Sequence, residues 1–134
     1  MERVVSALLV IVGLINFLPV AGVLSVEILA NAYNIPQPEG DLLILMRHRA
    51  ILFGILGAII IVSAFRRHLQ TTATLAAFIS MSGFIGLCLA SGKYGEKIYN
   101  VMLVDIAGCV LLAVVVFLRF FANHQYEEDK PGTR

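Results

Sequence analysis

Few side chains in this sequence are equipped for chemistry, and those that are stand in apolar surroundings. Arg47, His48 and Arg49 follow one another near the start of a run of apolar residues from Leu42 to Phe65. Asp105 is the only charge before Arg119 in a second run that begins near Ile98. Asn16 and Pro19 interrupt a third, from Val4 to Leu24. Arginine forks suit carboxylates and phosphates, so Arg47 and Arg49 are candidate anchors for an anion. Histidine is the residue type that exchanges protons near neutral pH. His48 therefore has two readings, a rim residue that reaches head groups or a carrier of a proton or ligand. A haem pair would need a second histidine at similar depth, and His68 and His124 both fall outside the spans, on the side read below as cytoplasmic.

No reaction is assigned by motif. The chain has no P-loop, HExxH or GxSxG pattern, and no span holds paired carboxylates. Cys88 and Cys109 sit in apolar runs without a CxxC spacing, which marks them as small buried hydrophobes and not as a metal or redox pair. No catalytic residue, metal or cofactor is expected from these patterns. With a formal net charge of +1 and no basic block, nucleic acid is not an expected partner.

The solvent of these residues follows from composition. Of 134 residues, 59% are apolar and only 14% charged, against about 45–50% and about 25% in soluble domains. A soluble domain this small buries only about two-thirds of its chain's surface, so lipid is the natural solvent for the excess. About 20 apolar residues cross the hydrocarbon core, and four such runs are present, near 4–24, 42–65, 69–90 and 98–121. The first is too long for the core of a signal peptide, is followed by no clear A-x-A site, and reads as a retained span. Four spans are too few for a closed barrel, and each must satisfy its own backbone polar groups. The expected fold is an all-α integral membrane four-helix bundle, residues 1–122, followed by a polar cytoplasmic tail over 123–134.

Orientation follows from the basic residues near span ends. Arg3, Arg66, Arg67, Arg119, Lys130 and Arg134 fall on one side, and Lys93 and Lys97 on the other. Both termini are therefore expected in the cytoplasm of an inner (plasma) membrane protein. The connection from Ser25 to Asp41 is then the one long extracytoplasmic loop. Its first part, Val26 to Tyr33, has apolar residues at helical spacing and either continues the first helix or lies along the interface. Asn34 to Gly40 breaks it, with Asp41 as the expected N-cap of the second span. A long loop among short turns is where function is sought.

Each intramembrane charge needs a partner or water. Arg49 lies sixteen residues before Phe65 and Asp105 fourteen before Arg119, about 24 and about 21 Å from the cytoplasmic ends. The matching depths predict an ion pair between them. Arg47 points to another side of its helix and is expected to snorkel or to meet Glu27, Glu39 or Asp41. Pro19 and Asn16 imply a kink, or a polar lining residue, in the first span. Tyr33, Tyr94 and Tyr99 fit an outer aromatic belt. The small residues Ser82, Gly86 and Ala90, and Gly54 with Ala58, are expected to pack helices within the monomer, a homodimer seam being the alternative.

Tyr33, then Arg49-Ala50 with Gly54 and Gly57 in the second span, resembles the small four-helix bacterial membrane proteins grouped as DoxX-like. Those have a first span, a long outer loop, and a second helix opening with an Arg-Ala pair followed by glycines. There an acidic residue often precedes the arginine; here Arg47 and His48 do. The resemblance implies the same topology, and its named members are linked to respiratory or sulfur redox chemistry.

These residues suggest a protein that is not an enzyme. It would bind a lipid-like or anionic small molecule in an outer-leaflet pocket formed by Arg47, His48, Arg49, Asp105, Asn16, Glu27 and Tyr33, or serve as an accessory subunit. Membrane lipids, a second copy or a larger membrane complex are the expected partners. A membrane enzyme or redox subunit acting on a quinone or lipid is one alternative, and an oligomeric channel or transporter is another.

Overall fold

The computed structural model describes residues 2–128, with side chains as far as residue 121. Among these residues all regular structure is helical. The first span, Glu2–Leu24, is built from α1 (Glu2–Phe17), a 3-10 turn (Leu18–Val20) and the short α2 (Ala21–Leu24). The change of winding falls at Pro19, which has no N–H to give the Ile15 carbonyl and whose ring crowds it. One turn earlier the buried Asn16 donates its side-chain amide to the Val12 carbonyl at 2.9 Å.

Ser25 then ends the span. Its backbone is extended, and its hydroxyl accepts from the N–H groups of Glu27 and Ile28 at 3.2 and 3.4 Å, an N-cap that starts a separate helix, α3 (Val26–Tyr33). The first helix therefore does not simply continue. Asn34, at φ 51°, closes α3 in the left-handed conformation, and its N–H and that of Ile35 both return to the Ala30 carbonyl. Leu29 and Ala30 are buried, and α3 packs back on α2 and reaches α6.

The second and third spans are α4 (Gly40–Phe65) and α5 (Arg67–Ser91). The N-cap position of α4 is Glu39, not Asp41; Asp41 lies in the first turn, where a carboxylate complements the helix dipole. Arg66 alone separates α4 from α5. Gly92, at φ 62°, ends α5 with its N–H on the Cys88 carbonyl. The fourth span begins α6 (Glu96–Glu128). This helix outruns the apolar stretch, so residues 123–128 of the expected tail are helical, and 129–134 lie outside the described residues. At the other end of the chain Glu2 forms an ion pair with Arg67, which ties the start of α1 to the Arg66 hairpin.

Around the bundle α1 packs on α4, α4 on α5, α5 on α6, and α6 on α1. Helices α4 and α6 thus face each other across a diagonal. The α1–α4 seam is the closest, because Gly13 and Gly57 bring two backbones together. A methyl group on Gly57 would lie 2.7 Å from the Gly13 carbonyl oxygen and 2.8 Å from the Phe17 nitrogen. The small residues facing α1 are Gly54 and Gly57, while Ala58 is exposed. On α5 Gly86 and Ala90 are exposed, and nothing approaches a methyl group placed on Gly86. Gly86 and Ala90 therefore take no part in packing α5 on α4 and α6, while Ser82 is half-buried.

All four spans are long and apolar enough to cross a membrane, and only 22–33% of each is buried against its neighbours. Leu14, Leu24, Ile55, Ile79 and Phe117 are among the large apolar side chains left on the outside, which is the surface that a bilayer covers.

Candidate functional site

Helix pairing divides the bundle interior into two unequal halves. Towards the Arg66 hairpin, Leu9, Val12, Ile60, Ala77, Leu112 and Val115 close into an apolar core. Towards Gly92, the inward stripes carry Arg49 and Phe53 on α4, Phe84 on α5 and Asp105 on α6, and all four keep partial exposure. Asp105 shares its stripe with Met102, Gly108 and Leu112, all buried, so it faces the interior. Arg49 is nine residues past Gly40 and Asp105 nine past Glu96, each about 13 Å along its helix.

The Arg49 guanidinium is surrounded by aromatic faces. Its carbon lies 5.7 Å from the ring centre of Tyr33, 5.3 Å from that of Phe53 and 5.1 Å from that of Phe84. All three are within cation–π range. Phe53 is supplied by the next turn of α4, Phe84 by the neighbouring α5, and Tyr33 by the last turn of α3. The Asn34 stop and the Ser25 cap therefore decide where the third ring stands.

The expected salt bridge between Arg49 and Asp105 is not formed. No nitrogen–oxygen pair of these two comes within 4.0 Å, and Glu2–Arg67 is the only ion pair among the described residues. The reason is topological, since equal depth does not make α4 and α6 neighbours. Arg49 pairs with no carboxylate and donates no hydrogen bond among the described residues. Its N–H donors, which lie in the guanidinium plane while the rings cover its faces, remain available to a ligand.

The other sequence candidates are dispersed. Arg47 sits half-buried on the stripe of α4 that also carries Ala50, Gly54 and Gly57, with its Nε buried and unpartnered; it meets none of Glu27, Glu39 or Asp41. His48 is exposed, as is Glu27 on α3. Asn16 is buried, and its amide is used within its own helix. Of the expected pocket, the structure brings Tyr33 and Arg49 into contact, with Asp105 across the interior. Phe53 and Phe84 were missed. Phe53 was legible as the residue one turn from Arg49, whereas Phe84 required knowing that α5 is the neighbour. Cys88 is buried and Cys109 half-buried, and both are free thiols. Among the described residues no three His, Cys, Asp or Glu side chains converge on one point.

Comparison with known proteins yields no family model, no curated protein and no solved structure that matches the chain. The likeness to DoxX-like proteins rests on Tyr33, Arg49-Ala50, Gly54 and Gly57 alone.

Proposed function

We propose that this chain is a multi-pass inner-membrane protein with both termini in the cytoplasm, and that it binds an anionic or lipid-like small molecule in the outer half of its bundle. The observation that carries this reading is the Arg49 guanidinium, held by three ring faces with no carboxylate or carbonyl of its own. In that orientation the connection of α3 lies on the outer side and covers the site as a cap. A fixed cation with in-plane donors recognises a carboxylate or phosphate, and Tyr33, Phe53 and Phe84 offer apolar surface to a chain or ring attached to it. Native mass spectrometry of the detergent-extracted protein tests this. Wild type should retain a co-purified anionic or amphiphilic adduct that Arg49→Gln loses; equal adducts on both, or none on wild type, would overturn it.

A role as an accessory subunit is the second reading, favoured by the uncovered small-residue face of α5 at Gly83, Gly86 and Ala90. In lipid, where apolar burial alone gives no driving force, such faces let a second helix approach closely. A Gly86→Leu variant that still assembles with its native complex would exclude this face as the contact.

A further inference from the structure

The reading of the outer half as a ligand site leaves the ligand's charge open, and the position of Asp105 narrows it. Two opposite charges lie half-buried on inward stripes of the bundle, each nine residues into its helix. They sit on diagonal helices and do not touch. Arg49 is kept on its own side by the rings of Tyr33, Phe53 and Phe84. The two charges nearly balance, so the site as a whole is close to neutral. A simple anion bound to Arg49 would tip this balance and bring a second negative charge towards Asp105. A simple cation bound to Asp105 would face Arg49. In a low-dielectric interior either excess is costly. A molecule carrying both signs, held apart by a short bridge, satisfies both residues and leaves the site neutral.

We infer that the site takes a zwitterionic head group, with an acid oxyanion on the Arg49 guanidinium and a primary ammonium on the Asp105 carboxylate, spanning the diagonal between α4 and α6. This rests on the proposal that the outer half binds a ligand at Arg49, and deepens it by adding Asp105 as the residue that selects. An aminoethyl phosphodiester has this chemistry, and it comes either as the head of a phospholipid or as a free small zwitterion. The oxyanion accepts in-plane N–H donors from Arg49, and the ammonium donates to the carboxylate. A purely anionic head group offers nothing to Asp105.

The test uses the full-length protein, delipidated in detergent, titrated by native mass spectrometry with phosphatidylethanolamine, phosphatidylglycerol and free O-phosphoethanolamine. Wild type should prefer phosphatidylethanolamine to phosphatidylglycerol by about tenfold or more, the scale of one charge-assisted hydrogen bond. Asp105→Asn should remove that preference, Asp105→Glu should keep it, and Arg49→Gln should weaken both lipids. Helical circular dichroism identifies any variant that fails to fold, and Asp105→Glu preserves the charge should Asp105→Asn do so. Competition by free O-phosphoethanolamine supports the zwitterion from a water-borne source; its failure to compete while the lipid binds supports a lipid source. Equal binding of the two lipids, unchanged by Asp105→Asn but lost in Arg49→Gln, would overturn the zwitterion and leave the anion site standing. Adducts indifferent to Arg49→Gln would overturn both.

Discussion

Placing a guanidinium inside a membrane-spanning helix costs about 2.5–3.5 kcal/mol on the mild insertion scale unless something replaces its water. At Arg49 the replacement is three aromatic faces. Each cation–π contact is worth about 0.5–2 kcal/mol, more where it is desolvated. Tyr33→Leu removes one ring while preserving apolar bulk, so it should lower the melting temperature in detergent measurably, and Tyr33→Phe should not. Equal melting for both variants would show that the ring face does not matter. Asp105 does not touch Arg49. Removing one partner of a buried contact pair costs about 3–5 kcal/mol. The coupling in a double-mutant cycle of Arg49→Gln and Asp105→Asn should fall well short of that, so the two losses should come close to adding. Full recovery in the double mutant would mean that the side chains do meet.

The helices are held in register by small residues at one seam and by caps at their ends. Gly57 lets α4 touch the backbone of α1 at Gly13 and Phe17, and that contact sets the height at which the two helices meet. Gly57→Ala places a methyl group 2.7 Å from a carbonyl oxygen, which forces the seam apart at a cost of about 1–3 kcal/mol. Gly86→Ala meets nothing within the monomer and should stay within about 0.5 kcal/mol of wild type. Thermal unfolding in detergent compares the pair directly, and a Gly86→Ala loss as large as that of Gly57→Ala would place a partner on the outer face of α5. The Ser25 cap and the Asn34 stop act at the same scale. They hold α3 as a separate helix that folds over the bundle, and Tyr33 is its last residue.

For the whole molecule, lipid is part of the fold. Most of each span lies outside the bundle and is apolar, so stability in water is not to be expected without detergent. The proposed topology, with Arg3, Arg66, Arg67 and Arg119 on the cytoplasmic side, makes a direct prediction. C-terminal fusions should be active with a cytoplasmic reporter and silent with alkaline phosphatase, while a fusion after Lys93 should do the reverse. The opposite pattern would invert the bundle and put the Arg49 site in the inner leaflet.

Four spans, helical winding, and the depths of Arg49 and Asp105 were all readable from the amino-acid order. These are local quantities: an apolar run must satisfy its own backbone in lipid, and depth is a count of residues along one axis. The break at Pro19 was readable for the same reason. Neighbour order around the bundle was not, because it is decided by contacts between residues far apart in the chain. A close seam at Gly13 and Gly57 joins α1 to α4 and helps set α4 opposite α6. That arrangement turned an expected Arg49–Asp105 salt bridge into two separated charges. It also brought Phe84 to Arg49, although no spacing along the sequence links them. The helical spacing of Val26 to Tyr33 was readable too, but that it forms a separate helix, α3, was decided by the Ser25 hydroxyl, a cap only once the backbone there is extended. Sequence alone determined which residues share a depth, and tertiary structure decided which of them face one another, because direction about a helix axis has meaning only once its neighbours are in place.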